Sequence, residues 1–410
     1  MSAKIAIVGS GPSGCYLAQA LLKLDSGLQV NVIDALPVPY GLVRYGVAAD
    51  HQGTKAVTRQ FSRIFERQGA RFFGNVHVGR DISLDALRQA FDVVVLAAGL
   101  SLDRRLGIPG DDLPGIYGAS CLTRALHEHP EGKTLPDLGR NPVIVGNGNV
   151  AIDLLRLLAK SPDELEGTDL GPLPSDWLGR NSFESITILG RSPASQAKFD
   201  PVMIRELAKL RNVSIEVIGA DEAEDAEQAK RLEALAEIHK PSKARTAIRF
   251  RFALQPVAVE GEESVTGLRV RDTSGVEEVI PASSIVTAIG FRSSGDLDRS
   301  RWMTEGVSET GRLAPGLYAA GWFRRGPRGT IPESREEGQL LASTILAETE
   351  PVPDRPGRAI LERLPGVVDF AGWQRIDEFE LSSAPPGRCR RKLSTTEDLL
   401  RVATDQEHSI

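Results

Sequence analysis

A glycine fingerprint occurs twice in this chain, each time between a short apolar strand and a helix. Gly9-x-Gly11-Pro12-Ser13-Gly14 follows Ile5-Ala6-Ile7-Val8 and leads into a helical run from Cys15 to Leu24. Gly146-x-Gly148-Asn149-Val150-Ala151 follows Val143-Ile144-Val145 and continues as a helix through Ile152 to Leu158. Glycines at these positions permit a tight turn and let a phosphate reach backbone N–H groups at a helix start. A lone glycine motif is weak evidence, but strand, turn and helix in that order make a mononucleotide-binding unit. Two such units in one chain predict two nucleotide sites.

The residues beyond each helix distinguish the two sites. After the first helix comes the strand Val30-Asn31-Val32-Ile33 and then Asp34, 25 positions after Gly9. An acid there binds ribose hydroxyls. After the second helix comes Ser185 to Leu189 and then Gly190-Arg191-Ser192, with no acid. An acid would repel a 2′-phosphate, whereas Arg191 and Ser192 can bind one. The second site therefore favours NADPH, with NADH as the alternative.

The remaining patterning fits two α/β domains. A helix is expected from about 54 to 68, with Val57, Phe61, Ile64 and Phe65 on one face. Asp92 to Leu96 reads as a buried strand ending in Ala97-Ala98-Gly99. Residues 161–182, rich in Pro, Gly, Asp and Ser, read as an insertion loop, and 220–240 as a helix. Residues 247–290 read as an antiparallel group (248–254, 267–270, 278–280) closed by the strand 285–288. A linker is expected at 351–358, and Ser394 with Glu397 forms a capping box for a last helix.

At 410 residues the chain has core enough for two or three domains. Its net charge of −6 lacks the basic footprint of a nucleic-acid coat, so no nucleic-acid partner is expected. Cys15, Cys121 and Cys389 are far apart, which excludes a CxxC redox pair or a four-cysteine cluster and fits a reducing compartment. No apolar run is long enough for a membrane span, and the run after Lys4 meets glycine too soon for a signal peptide. The expected address is the cytoplasm, and the expected state a monomer. His127 and His129 are poorly spaced for a helical metal pair, and no metal is assigned.

Three stretches carry a family resemblance. They are Pro39-Tyr40-Gly41-Leu42-Val43-Arg44-Tyr45-Gly46-Val47-Ala48-Ala49-Asp50-His51, the second fingerprint through Asp153, and Gly321-Trp322-Phe323-Arg324-Arg325-Gly326-Pro327-Arg328-Gly329-Thr330-Ile331. As a set they resemble the adrenodoxin reductase-type NADPH–ferredoxin reductases, along nearly the whole chain. The resemblance implies two Rossmann-like domains in a glutathione reductase-like α/β fold. FAD would sit in a discontinuous domain (1–103 and 312–410), and NADPH in a domain inserted at 104–311. It implies hydride transfer from NADPH to FAD, then single-electron transfer to a ferredoxin-type iron–sulfur protein.

The resemblance assigns site residues by position. Beside the first fingerprint and Asp34, it implies FAD contacts at Leu42, Val47, Ala98, Gly99, Gly321, Trp322, Gly329, Thr330 and Ile331. His51 and Glu206 match the family's active-site histidine and glutamate, and Asp153 its carboxylate near that histidine. The cofactors carry the chemistry, so these three would tune protonation and nicotinamide placement. The basic run Lys230, Arg231, Lys240, Lys243, Arg245, Arg249 and Arg251 lies where the family meets an acidic ferredoxin. Four departures stand out. Ser192 replaces a second arginine, Met203 a glutamate and Ala49 a proline, and Pro332-Glu333-Ser334 comes after Thr330-Ile331. They keep open a flavin oxidoreductase acting on a small organic substrate. An electron-transfer subunit of a larger complex is the third reading.

Overall fold

A computed structural model describes residues 2–293, 297–303 and 310–404. The chain forms two compact units: Met1–Leu102 with His127–Glu131 and Phe291–Ile410, and Asp103–Leu126 with Gly132–Gly290. The first unit thus resumes at Phe291, ahead of the sequence-based limit at 312.

The first unit is built on a six-stranded sheet. Its order is Arg312–Ala314, Leu317–Ala319, Val93–Leu96, Lys4–Val8, Gln29–Ile33, Arg71–Phe73. All pairs are parallel except the outermost, Arg312–Ala314 on Leu317–Ala319. Ile5 and Ile7 face one core and Ala6 and Val8 another, so the sheet is covered on both faces, as parallel sheets require. The helix Pro12–Leu24 starts with its proline in the first turn, where the missing N–H costs nothing, and buries Cys15, Leu17 and Leu21. The long helix Ile331–Glu348 packs along it. A Cβ on Gly338 would stand 3.0 Å from the Leu17 nitrogen, so only glycine lets the two backbones approach this closely.

The second unit repeats the plan. Its sheet runs Ile116–Gly118, Ser284–Thr287, Pro142–Val145, Ser185–Leu189, Thr246–Arg251, Val213–Ile218, all parallel. In both sheets the strand before the fingerprint has its next strand on one side and a later strand on the other. Ligands bind at such a switch point, beyond the carboxyl ends of the strands.

Four local expectations need correction. Thr246–Arg251 belongs to the central parallel sheet; the antiparallel group is Gln255–Glu260, Gly267–Arg271 and Glu277–Pro281. The helix expected at 54–68 is two, Gln52–Lys55 and Thr58–Glu66, because burial of Phe61 and Ile64 fixes the second and leaves a turn at Ala56 and Val57. The segment 161–182 is not a plain loop. A Ser161–Glu164 capping box starts a 3₁₀ turn, and a helix Pro172–Arg180 buries Trp177 and Leu178. The last helix, Thr396–Thr404, is capped one residue later than expected, by the Thr395 hydroxyl accepting from the Asp398 N–H at 3.1 Å.

Candidate active site

The two fingerprints fold alike. Gly9 has φ +111° and a Cβ there would lie 2.3 Å from the Ala97 carbonyl oxygen; Gly146 has φ +124° and would meet the Ala288 oxygen at the same distance. Each turn is thus pressed against the end of a neighbouring strand, and only glycine fits. The middle glycines have the opposite surroundings. Nothing lies within 4 Å of a Cβ built on Gly11 or Gly148. Both are helix N-caps without a capping side chain, so no cap side chain satisfies the first-turn N–H groups. A long helix ending in bare donors is an anion site. The residues present therefore fit a nucleotide pyrophosphate at Gly11–Gly14 and another at Gly148–Val150.

Asp34 takes a part the sequence did not disclose. One carboxylate oxygen accepts from the Ser10 N–H at 2.9 Å and from its hydroxyl at 2.5 Å, and the other accepts from the Leu36 N–H at 3.0 Å. Burial pushes its pKa up, and the hydrogen bonds oppose this. It pins the glycine turn from the end of the strand Gln29–Ile33.

The first family stretch lies against that turn. Tyr40 has φ +84°, a conformation costing on the order of 1–3 kcal/mol for a non-glycine residue. Its N–H donates to the Ser10 carbonyl and hydroxyl at 3.1 and 3.2 Å, and its own hydroxyl is 2.7 Å from that of Ser62. Gly41 comes so near that a Cβ would sit 3.1 Å from the Gly11 Cα. The short helix Leu42–Tyr45 comes next, and the Val47 N–H closes onto the Leu42 carbonyl. The Val47 carbonyl meets Nε2 of buried His127 at 2.9 Å, which gives that histidine a structural role. Ala98 and Gly99 lie past the end of Val93–Leu96, beside the Gly9 turn.

The third stretch closes the same site. Gly321, at φ +63°, abuts Ser13: a Cβ would lie 2.1 Å from its hydroxyl. The Gly321 N–H donates to Glu337 at 3.0 Å, and Glu337 also pairs with Arg324 and Arg325. Trp322 stacks on Phe291 at 5.7 Å and 15°. Thr330 is the N-cap of Ile331–Glu348, with Glu333 as its capping-box partner, so the departure Pro332-Glu333-Ser334 is a helix start. Fingerprint, Gly321 turn and Thr330 helix start are thereby brought together in the first unit. His51 precedes Gln52–Lys55 as its N-cap.

In the second unit Asn149 accepts from the Asp200 N–H at 2.7 Å, tying the fingerprint helix to Pro201–Arg205. Asp153 and Glu206 meet on one cation. Buried Arg156 lies 2.7 Å from Asp153 and 3.4 Å from Glu206. Sequence reasoning missed Arg156, although its place one turn after Asp153 on an apolar helix marks it. The Arg191 side chain is exposed and has no hydrogen bond or ion pair among the described residues. The Ser192 hydroxyl donates one long bond, 3.5 Å, to the Gln196 carbonyl.

Three of the seven basic residues of the run are neutralised. Arg231, Arg249 and Arg251 pair with Glu227, Glu216 and Glu278, and Lys240 donates to the Ala208 and Leu210 carbonyls. Among the described residues, Arg245 is held only by the Ser182 hydroxyl, while Lys230 and Lys243 are exposed and unpaired.

Residues 3–338 match the pyridine nucleotide-disulphide oxidoreductase family. Cindoxin reductase of Citrobacter braakii is 42% identical, with 98% of this chain and 92% of that protein aligned. The chain belongs to the adrenodoxin reductase-type NADPH–ferredoxin reductases. Another relative of this reductase family, the mitochondrial NADPH:adrenodoxin oxidoreductase of Arabidopsis thaliana, is 33% identical over 98% of this chain and 95% of its own. The structure of Mycobacterium tuberculosis FprA in complex with NADPH superposes with a TM-score of 0.90 at 32% identity, covering 99% of this reductase and 100% of that chain. Thioredoxin reductase of T. acidophilum, at 16% identity and a TM-score of 0.51, shares the fold alone. No helix among the described residues is long and apolar enough to cross a membrane.

Proposed function

We propose that this reductase takes hydride from NADPH onto FAD and passes electrons singly to a small acidic ferredoxin-type protein. The observation that carries this reading is the pair of uncapped glycine helix starts, Gly11 in one unit and Gly148 in the other. FAD, when bound, supplies the change from a two-electron donor to a one-electron acceptor. The first unit holds it, with Gly9, Gly11, Pro12, Ser13 and Gly14 at the pyrophosphate and Asp34 at the ribose. Leu42, Val47, Ala98, Gly99, Gly321, Trp322, Gly329, Thr330 and Ile331 take the rest. The bare N–H groups orient the phosphates without a counter-cation.

The second unit binds NADPH through Gly146, Gly148, Asn149 and Val150. Arg191 takes the 2′-phosphate and Ser192 adds a neutral donor. Glu206 and Asp153, both steered by Arg156, position the nicotinamide, and His51, at the start of Gln52–Lys55, is the active-site residue of the first unit. The iron–sulfur partner docks through a patch including Lys243 and Arg245, supported by Lys243 having no counter-ion and Arg245 only a serine among the described residues. We further propose a monomer in the cytoplasm, consistent with three cysteines none of which forms a disulfide.

The deciding experiment is stopped-flow reduction of the yellow protein by NADPH and by NADH, followed by mixing with candidate ferredoxins. Rapid flavin bleaching and then rapid ferredoxin reduction are expected. A colourless protein that cannot be reconstituted with FAD refutes the reading.

A further inference from the structure

Glu380 lies in the helix Phe370–Ser382, and its side chain is wholly buried. Three donors converge on its carboxylate: Arg44 Nη2 at 2.5 Å, the Leu393 N–H at 2.8 Å and Arg390 Nη1 at 2.9 Å. Arg44 is itself buried, its guanidinium 5.0 Å from the Tyr45 ring and 5.2 Å from that of Trp373. Its Nε has no hydrogen-bond partner among the described residues. A buried ion pair left partly unsatisfied adds little stability over apolar residues of the same size. What it adds is a fixed direction, and Arg44 belongs to the helix that continues the strained Tyr40–Gly41 turn.

The turn rests directly on the pyrophosphate loop, through Tyr40 on Ser10 and Gly41 on Gly11. Trp373, from the same helix as Glu380, packs edge-on against Tyr40 at 5.7 Å. A strained backbone persists only where its surroundings over-determine it. We propose that Arg44 and Glu380 are positioning residues for FAD, through which the helix Phe370–Ser382 holds segment 40–47 in the form that seats the flavin nucleotide. This rests on the reading that the first unit binds FAD.

The test compares wild-type holoenzyme with Glu380→Gln and with the apolar pair Arg44→Met/Glu380→Leu. FAD release on dilution is followed by flavin fluorescence, NADP⁺ affinity by spectral titration, and melting with FAD in excess. Glu380→Gln is expected to raise the Kd for FAD at least tenfold and to leave the Kd for NADP⁺ within twofold. The apolar pair removes the direction without leaving a buried charge, so it should melt near the wild type and still release FAD at least tenfold more readily. If Glu380→Gln fails to fold, the apolar pair decides. An apolar pair that holds FAD as the wild type does overturns the proposal. A wild type without FAD overturns instead the reading of the first unit.

Discussion

Replacing Arg191 by alanine should weaken NADPH and leave NADH almost unchanged. Arg191 directly follows the strand Ser185–Leu189 and Gly190, where an NAD enzyme carries an acid. Its exposed guanidinium has no partner among the described residues, so binding a phosphate breaks no existing bond and removing it strands no buried charge. A hydrogen bond to a charged group contributes roughly 1.5–3 kcal/mol. Solvent screening of an exposed group argues for the lower end. At about 1.4 kcal/mol per decade, the loss is roughly tenfold and no more than about a hundredfold. Ser192 brings no charge, and its hydroxyl is spent weakly on the Gln196 carbonyl. The wild type should therefore prefer NADPH less strongly than a two-arginine site would. The assay is kcat/KM for both coenzymes in wild type and Arg191→Ala, with a dye acceptor so that ferredoxin docking does not intervene. A wild type that favours NADH, or a variant whose NADPH/NADH ratio is unmoved, refutes the reasoning.

Gly11→Glu should fold but purify colourless, since its Cβ meets nothing while the carboxylate fills the phosphate approach; a yellow variant would contradict the site. His51→Ala and Glu206→Ala should keep FAD and alter hydride-transfer rate or nicotinamide affinity modestly, because neither residue performs the chemistry; wild-type behaviour in both returns them to structural roles. Transfer to an acidic ferredoxin should slow as salt rises. Lys243→Gln/Arg245→Gln should raise its KM while sparing a dye, and salt-independent turnover would reject the patch. Burial alone would raise the pKa of Glu380, but Arg44 and Arg390 hold it below the ordinary carboxylate value. Its stabilisation is therefore present above that value and lost as pH falls through the depressed one. Losing one partner of such a pair costs about 3–5 kcal/mol. Acid melting curves should show the wild type's advantage over Glu380→Gln shrinking across that window, and a constant gap would reject the linkage.

The nucleotide turns were legible because their physics is local: strand, glycines and helix start lie within about a dozen residues. The Thr330 helix start was visible as a resemblance, and its capping box explains the proline that departs from the family. Elsewhere the deciding contact was distant. Thr246–Arg251 alternates like an antiparallel edge strand, yet it pairs with Ser185–Leu189 and Val213–Ile218 inside a parallel sheet. Which members of the basic run are neutralised is hidden in the sequence, because the glutamates come from elsewhere: Glu216 beside Arg249 on the neighbouring strand, and Glu278 beside Arg251 from a different sheet. Arg44 and Glu380 are 336 positions apart, and neither periodicity nor spacing links them. Asp34 stands out in the sequence as an acid after the second strand, but its grip on Ser10 depends on how the turn curls back.

The first unit is interrupted in sequence, and this sets an order of birth. Residues 132–290 of the second unit leave the ribosome before the strand Leu317–Ala319, which the first sheet needs beside Val93–Leu96, has been made. Domains form as units during synthesis at ~5–20 residues per second. The nascent chain therefore carries a half-built first sheet, with the edge of Val93–Leu96 bare, for on the order of tens of seconds. The second unit can close in that interval; the first waits for Leu317–Ala319, the helix Ile331–Glu348 and Phe370–Ser382. A ribosome stalled before residue 317 thus presents an open strand edge to its neighbours.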